Sequence, residues 1–199
     1  MLSFGNERNL VQADFKNYNQ EIMGGIIMAL YFPAPKYNGN YKVGMAQFNW
    51  RRGGGARTHA GCDLYAPLES DVIAVTDGIV VEISPPGFAG TTEAISVFHE
   101  GIGVIRYGEV VKIPDEFKKI KTEVKAGNVI GKVGQAVAKL SPMLHFELFD
   151  GSGSGNLTDR SGKVEYYNED VLKNGKYQRR KDLMNPIKFL DRLWLEGLK

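Results

Sequence analysis

From residue 59 onward, short apolar runs recur with Gly or Pro between them: Val72–Val75, Gly78–Ile83, Ala94–Phe98, Val104–Tyr107, Val129–Val133 and Leu144–Phe149. Val, Ile and Phe dominate these runs, and β-branched and aromatic side chains suit a pleated, half-buried surface. Short strands punctuated this evenly predict an antiparallel, all-β unit. Asp77-Gly78 and His99-Glu100-Gly101 stand where hairpin turns are expected. In the run M-L-H-F-E-L-F, Leu144, Phe146 and Leu148 point to one face, and Met143, His145 and Glu147 to the other. A polar face on so apolar a strand predicts that this face lines a cleft.

The flanks read differently. Residues 1–24 form a polar N-terminal extension with a short helix around Asn9 to Met23. Ile26 to Phe32 predicts a strand that stops at Pro33. Residues 34–58 are rich in Gly, Asn and Arg and predict a long loop of the kind that carries function. Pro114 to Lys121 predicts one helical turn or a loop, and Gly151 to Gly155 a flexible tip. Residues 156–182 resemble a polar surface excursion. Asn185-Pro186 then opens a C-terminal helix with apolar positions at Ile187, Leu190, Leu193 and Leu195. The expected organisation is an extension (1–24), a β domain (25–155), and an excursion plus helix packed on that domain (156–199).

Composition narrows the function. The 199 residues are 43% apolar and 24% charged, an ordinary soluble profile. A net charge of +2 is too small to argue for nucleic acid, though it suits approach to an anionic polymer. With one cysteine, Cys62, the chain forms no internal disulfide and no Cys-rich zinc knuckle. The N-terminus shows no basic segment followed by an apolar one, so no secretory signal is read. The most apolar stretch, Ile22 to Phe32, is about half of what a membrane span requires.

The chain has three histidines. His59 lies in R-T-H-A-G-C-D, four residues before Asp63, and imidazole and carboxylate are both zinc donors. Gly61 between them permits a bend that brings both to one point. Such a pair is common without a metal, and His145 taken alone is as readily a core histidine. Neighbouring strand residues face opposite ways, so Cys62 is read as a small buried hydrophobe beside Asp63.

The blocks R-T-H-A-G-C-D-L-Y-A-P, V-I-A-V-T-D-G-I-V-V, I-G-K-V-G and L-H-F-E-L, in this order and spacing, resemble the lysostaphin-type (LytM-like) zinc endopeptidases. The similarity runs over roughly residues 29–150, with an echo in D-L-M-N-P-I-K-F-L. It implies an antiparallel β-sheet groove of duplicated-hybrid-motif type with long loops and a C-terminal helix. It also implies a Zn2+ held by His59, Asp63 and His145, and peptidoglycan peptide cross-links as substrate. Two positions depart from the family pattern. The first histidine of its H-x-H strand is Met143 here, and the histidine of its Y-x-H-L segment is Glu109. Met143 cannot move a proton. Glu109 can, and a carboxylate beside activated water is a workable general base. His99 matches a frequent family position at a strand end and is read as structural.

The resemblance frames the remaining expectations. Tyr107 shares alternation parity with Glu109 and would offer its hydroxyl to the tetrahedral intermediate. Arg57, with Arg51 and Arg52, would meet substrate carboxylates. The groove would run between residues 34–58 and the loops near 85–93 and 111–123. A chain without a leader would reach a cell wall by phage lysis or an injection device, with a delivery machine as partner, and a sequence given without its natural leader would read the same way. The alternative is a catalytically degenerate module that binds cell wall or docks to another hydrolase, which Met143 favours and the retained ligand triad opposes. A biotinyl-type carrier reading fails because the Asp77-Gly78 turn carries no lysine.

Overall fold

The computed structural model describes residues 29–55, 57–85, 88–159 and 178–196. The helix expected around Asn9 to Met23 lies outside them, as do most of the polar excursion and the end of the C-terminal helix. Among the described residues, nine strands form one antiparallel sheet: β3 (Cys62–Tyr65), β4 (Asp71–Ile73), β5 (Gly78–Ser84), β6 (Glu93–His99), β7 (Gly103–Val111), β8 (Glu123–Val124), β9 (Val129–Val133), β10 (Met143–Phe149) and β13 (Leu183–Met184). Two ribbons of two-residue strands flank it: β1 (Arg51–Arg52) with β2 (Arg57–Thr58), and β11 (Thr158–Asp159) with β12 (Gln178–Arg179). One helix, α1 (Ile187–Glu196), follows. Every predicted apolar run from Val72 onward became a strand, and the fold is the expected all-β architecture with a C-terminal helix.

The path through the sheet is β13–β10–β7–β6–β5–β8, with β3 also on β10 and β9 joining β4 to β7. Leu64, Ile95, Ile105, Leu144 and Phe146 fill the core and have no exposed surface. Leu190 and Leu193 of α1 close the same cluster. The Asn185 side chain accepts the backbone N–H of Ile187 at 3.0 Å and satisfies one donor of the first helical turn.

Three local expectations need correction. Of the strand expected over 26–32, residues 26–28 lie outside the described residues and 29–32 are not a ladder strand; Tyr31 N–H donates to the Val75 carbonyl at 2.8 Å. The Asp77-Gly78 turn does not join paired strands, because β4 pairs with β9 while β5 pairs with β6 and β8. Gly151 to Gly155 is no free tip: the Asp182 carboxylate accepts the N–H groups of Gly151 and Gly153, and Arg180 donates to the Gly155 carbonyl. The His99-Glu100-Gly101 turn does connect β6 to β7, with His99 opposite Gly103.

Candidate metal centre and its groove

His59, Asp63 and His145 converge. Asp63 on β3 is the direct cross-strand partner of His145 on β10. His59 reaches them by the bend at Gly61. A Cβ on Gly61 would lie 2.3 Å from the Phe146 carbonyl oxygen, so only glycine lets the H-A-G-C-D segment press against β10. His59 Nε2 lies 3.1 Å from His145 Nδ1, and each nitrogen lies 3.0 Å from Asp63 Oδ1.

Surrounding groups set which atoms face inward. His59 Nδ1–H donates to the Gln47 carbonyl at 2.9 Å, which leaves the Nε2 lone pair for the cluster. His145 Nε2–H donates to Glu147 Oε1 at 2.9 Å, which turns Nδ1 toward Asp63. Arg52 Nη2 donates to Asp63 Oδ2 at 2.8 Å, so Oδ1 is the oxygen that points in. Three acceptor atoms thus meet in a buried triangle, an arrangement that repels itself unless a cation sits among them. Its edges suit a tetrahedral ion with bonds of about 2.0–2.2 Å, whose ligand atoms stand roughly 3.3 Å apart. The donor set, two imidazoles and a carboxylate, fits zinc.

The electrostatics agree. Burial opposes charge on Asp63, but with a proton in place of a cation between the side chains, hydrogen bonds from His145 and His59 outweigh it and hold the carboxyl far below the ordinary range. Burial also opposes charge on His145, but Asp63 and Glu147 outweigh it and raise the imidazole to about 9. Burial lowers His59. The pocket is built to hold positive charge between these side chains.

A groove of about 690 Å³ opens over the triangle. Glu109 lines it from β7. Glu93 pairs with Val110 and Ala94 with Gly108, so Glu109 is the extra residue of a β-bulge, with φ +57°. The bulge re-aims its side chain into the groove. Its Oε2 is buried with no hydrogen-bond partner, and burial raises its pKa. Phe88 forms a wall, its ring 6.2 Å from that of His145. Gly108 makes room for it, since a Cβ there would approach the Phe88 ring to 2.6 Å.

The model of the family described as Peptidase family M23 matches residues 57–157. The chain belongs to peptidase family M23. It is also 30% identical over 117 residues to glycyl-glycine endopeptidase ALE-1 of Staphylococcus capitis, a match spanning 59% of this chain and 32% of that protein. The chain therefore matches about a third of that relative's length. Among solved structures, the lysostaphin catalytic domain from Staphylococcus simulans superposes with a TM-score of 0.51 at 22% identity, covering 78% of this chain and 92% of that one. Full lysostaphin gives 0.56 at 20% identity, covering 84% and 56%. These two superpositions establish a shared fold.

Against the M23 pattern, the other sequence-picked residues fall as follows. Tyr107 is a correction: it is wholly buried in the core and does not reach the groove. The bulge at Glu109 breaks the alternation that would have put both side chains on one face. The Tyr107 hydroxyl instead accepts Val75 N–H and donates to His99 Nε2, each at 3.1 Å. His99 in turn donates from Nδ1 to the Asp77 carbonyl at 2.9 Å, a buried structural network. Met143 is buried opposite Tyr65 and does not line the groove. Arg57 and Arg52 do line it, from the β1–β2 ribbon. Burial pushes the Cys62 thiol up to about 12, which removes it as a thiolate donor. The loop at 111–123 stands clear; Asn156, Thr158 and Arg179 take its place beside Pro85, Phe88 and Ala89. Sequence reading passed over Gln47, Arg106 and Arg179, and placed Glu147 on the cleft face without its role in holding His145. Glu147 had a signal, a carboxylate two residues from His145 on the same strand face; the others had none, since they act through distant pairing.

Proposed function

We propose that this M23 chain is a zinc-dependent endopeptidase that cuts peptide cross-links of bacterial peptidoglycan, with Glu109 as general base. The observation that carries the reading is one groove in which three converging acceptors, His59 Nε2, Asp63 Oδ1 and His145 Nδ1, lie beside a carboxyl with an unpaired buried oxygen. Zinc held by these residues would supply Lewis acidity toward the scissile carbonyl and lower the pKa of attacking water. Glu109, its basicity raised by burial, takes the proton of that water and passes it to the leaving amine. Phe88 shields one side of the reacting centre. Arg57 at the rim meets substrate carboxylates. An extended peptide gripped along its backbone suits an open groove. The glycyl-glycine endopeptidase named among the relatives supports peptide-bond cleavage as the chemistry. Among the described residues no helix is long and apolar enough to cross a membrane.

Met143, where the M23 pattern has histidine, favours a second reading: a non-catalytic module that binds cell wall or docks to another hydrolase. Elemental analysis and digestion of purified peptidoglycan separate the two. One zinc per chain, lost in His59→Ala and His145→Ala, with muropeptide release abolished by Glu109→Gln, is the expected result. Zinc without release from any wall type establishes the module instead, and absence of zinc overturns both metal roles.

A further inference from the structure

Arg179 lies beyond residues 57–157, the segment that matches the family, yet it touches the support of a proposed zinc ligand. Glu147 has no exposed surface, and its Oε1 accepts His145 Nε2–H at 2.9 Å, Arg179 Nε–H at 2.9 Å and an Arg179 Nη2–H at 2.8 Å. Its other oxygen accepts from Arg106 Nη1 at 3.1 Å. Arg106 also donates to Glu82 at 2.6 Å and to Thr158 Oγ1 at 2.7 Å. Arg179 grips the very oxygen that orients His145.

The backbone fixes this grip. Arg179 pairs with Thr158 in the β11–β12 ribbon, so one partner of this ladder step donates to Glu147 and the other accepts from Arg106. Next in the chain, Arg180 donates its N–H to the Leu157 carbonyl and its Nη1 to the Gly155 carbonyl, and pairs with Asp182. The returning strand is clamped where it meets the domain.

We infer that Arg179 is a positioning residue: it holds Glu147, and through it His145, so that Nδ1 faces the metal triangle. The segment C-terminal to the family match is then part of the centre rather than an appendage. This inference rests on the proposed zinc reading for its consequence, but not for its geometry. Removing Arg179 leaves Glu147 to Arg106 alone, and the carboxylate swings toward that arginine and releases His145. Partners of this kind, one step behind a metal ligand, typically change metal affinity by about 10–100-fold.

The test uses the full chain with Arg179→Gln and Arg179→Lys, and Lys181→Gln as an exposed control. Two quantities are read: the downfield, slowly exchanging His145 Nε2–H proton by NMR, assigned by its loss in His145→Ala, and zinc affinity by chelator competition. Arg179→Gln is expected to lose the proton signal and about 10–100-fold in zinc affinity, while Arg179→Lys, which keeps the charge without the fork, recovers part of both. An unchanged signal and unchanged affinity in Arg179→Gln overturn the inference. If Arg179→Gln does not fold, Arg179→Lys decides, and wild-type behaviour of that variant counts against the role. A wild type that takes up no zinc sinks the proposed function, while the proton signal still decides for or against Arg179.

Discussion

Replacing Glu109 by glycine should stabilise the protein and destroy its proposed activity together. Glu109 holds φ +57° at the β-bulge, a conformation that costs a side-chain-bearing residue about 1–2 kcal/mol and glycine nothing. Its Oε2 is buried without a partner, and deleting the carboxyl removes a desolvation cost of about 1–3 kcal/mol. Against this, glycine gains freedom in the unfolded chain worth about 0.5–1 kcal/mol. The net expectation is a gain of about 1–4.5 kcal/mol, or roughly 2–18 °C in Tm at about 2–4 °C per kcal/mol for a chain this size. Activity should fall by at least about 100-fold, the lower end of what a positioned general base contributes. The assay is paired: urea unfolding with and without zinc, and muropeptide release from the same samples. Glu109→Gln separates the two effects, since it keeps the strained backbone and loses only the base. The reasoning is refuted if Glu109→Gly is destabilised by more than about 1 kcal/mol, or if it is stabilised and still cuts.

Further outcomes follow from other parts of the site. Gly61→Ala should abolish zinc uptake even where the chain still folds, because the new Cβ meets the Phe146 carbonyl at 2.3 Å and pushes His59 out of the triangle; wild-type zinc content in that variant would contradict the packing argument. Tyr107→Phe should cost about 2–4 kcal/mol in urea unfolding with zinc content unchanged, since it strands the Val75 N–H and His99 Nε2 in the core; a loss of activity without a loss of stability would instead return Tyr107 to the groove. Burial lowers His99 to about 4, so the unfolded chain takes up this proton first as pH falls. Stability should therefore drop between about pH 6.5 and pH 4, by up to about 3 kcal/mol, and level off below; His99→Gln should flatten that part of the pH–stability curve, and an unchanged slope would place the titration elsewhere. Chelator treatment should lower the Tm of the wild type but not of His59→Ala, because a ligand bound only by the folded state stabilises it by mass action.

The sequence by itself carried the strands, because a strand's hydrophobic pattern is local: the runs from Val72 to Phe149 are short, rich in β-branched and aromatic residues and separated by Gly or Pro. It also carried the triangle, though only through a resemblance, since His59, Asp63 and His145 stand 86 residues apart at most and no spacing rule joins Asp63 to its cross-strand partner. Tertiary structure decided the rest. Alternation put Tyr107 and Glu109 on one face, but a single inserted residue reversed the parity, and a bulge is set by the partner strand's register rather than by the local sequence. The supporting roles of Gln47, Arg106 and Arg179, and the hold of Arg52 on Asp63, were invisible for a similar reason. Each residue acts on a partner at least 11 residues and as many as 52 away, and polar residues on exposed-looking segments give no sign that folding will bring them beside a metal ligand.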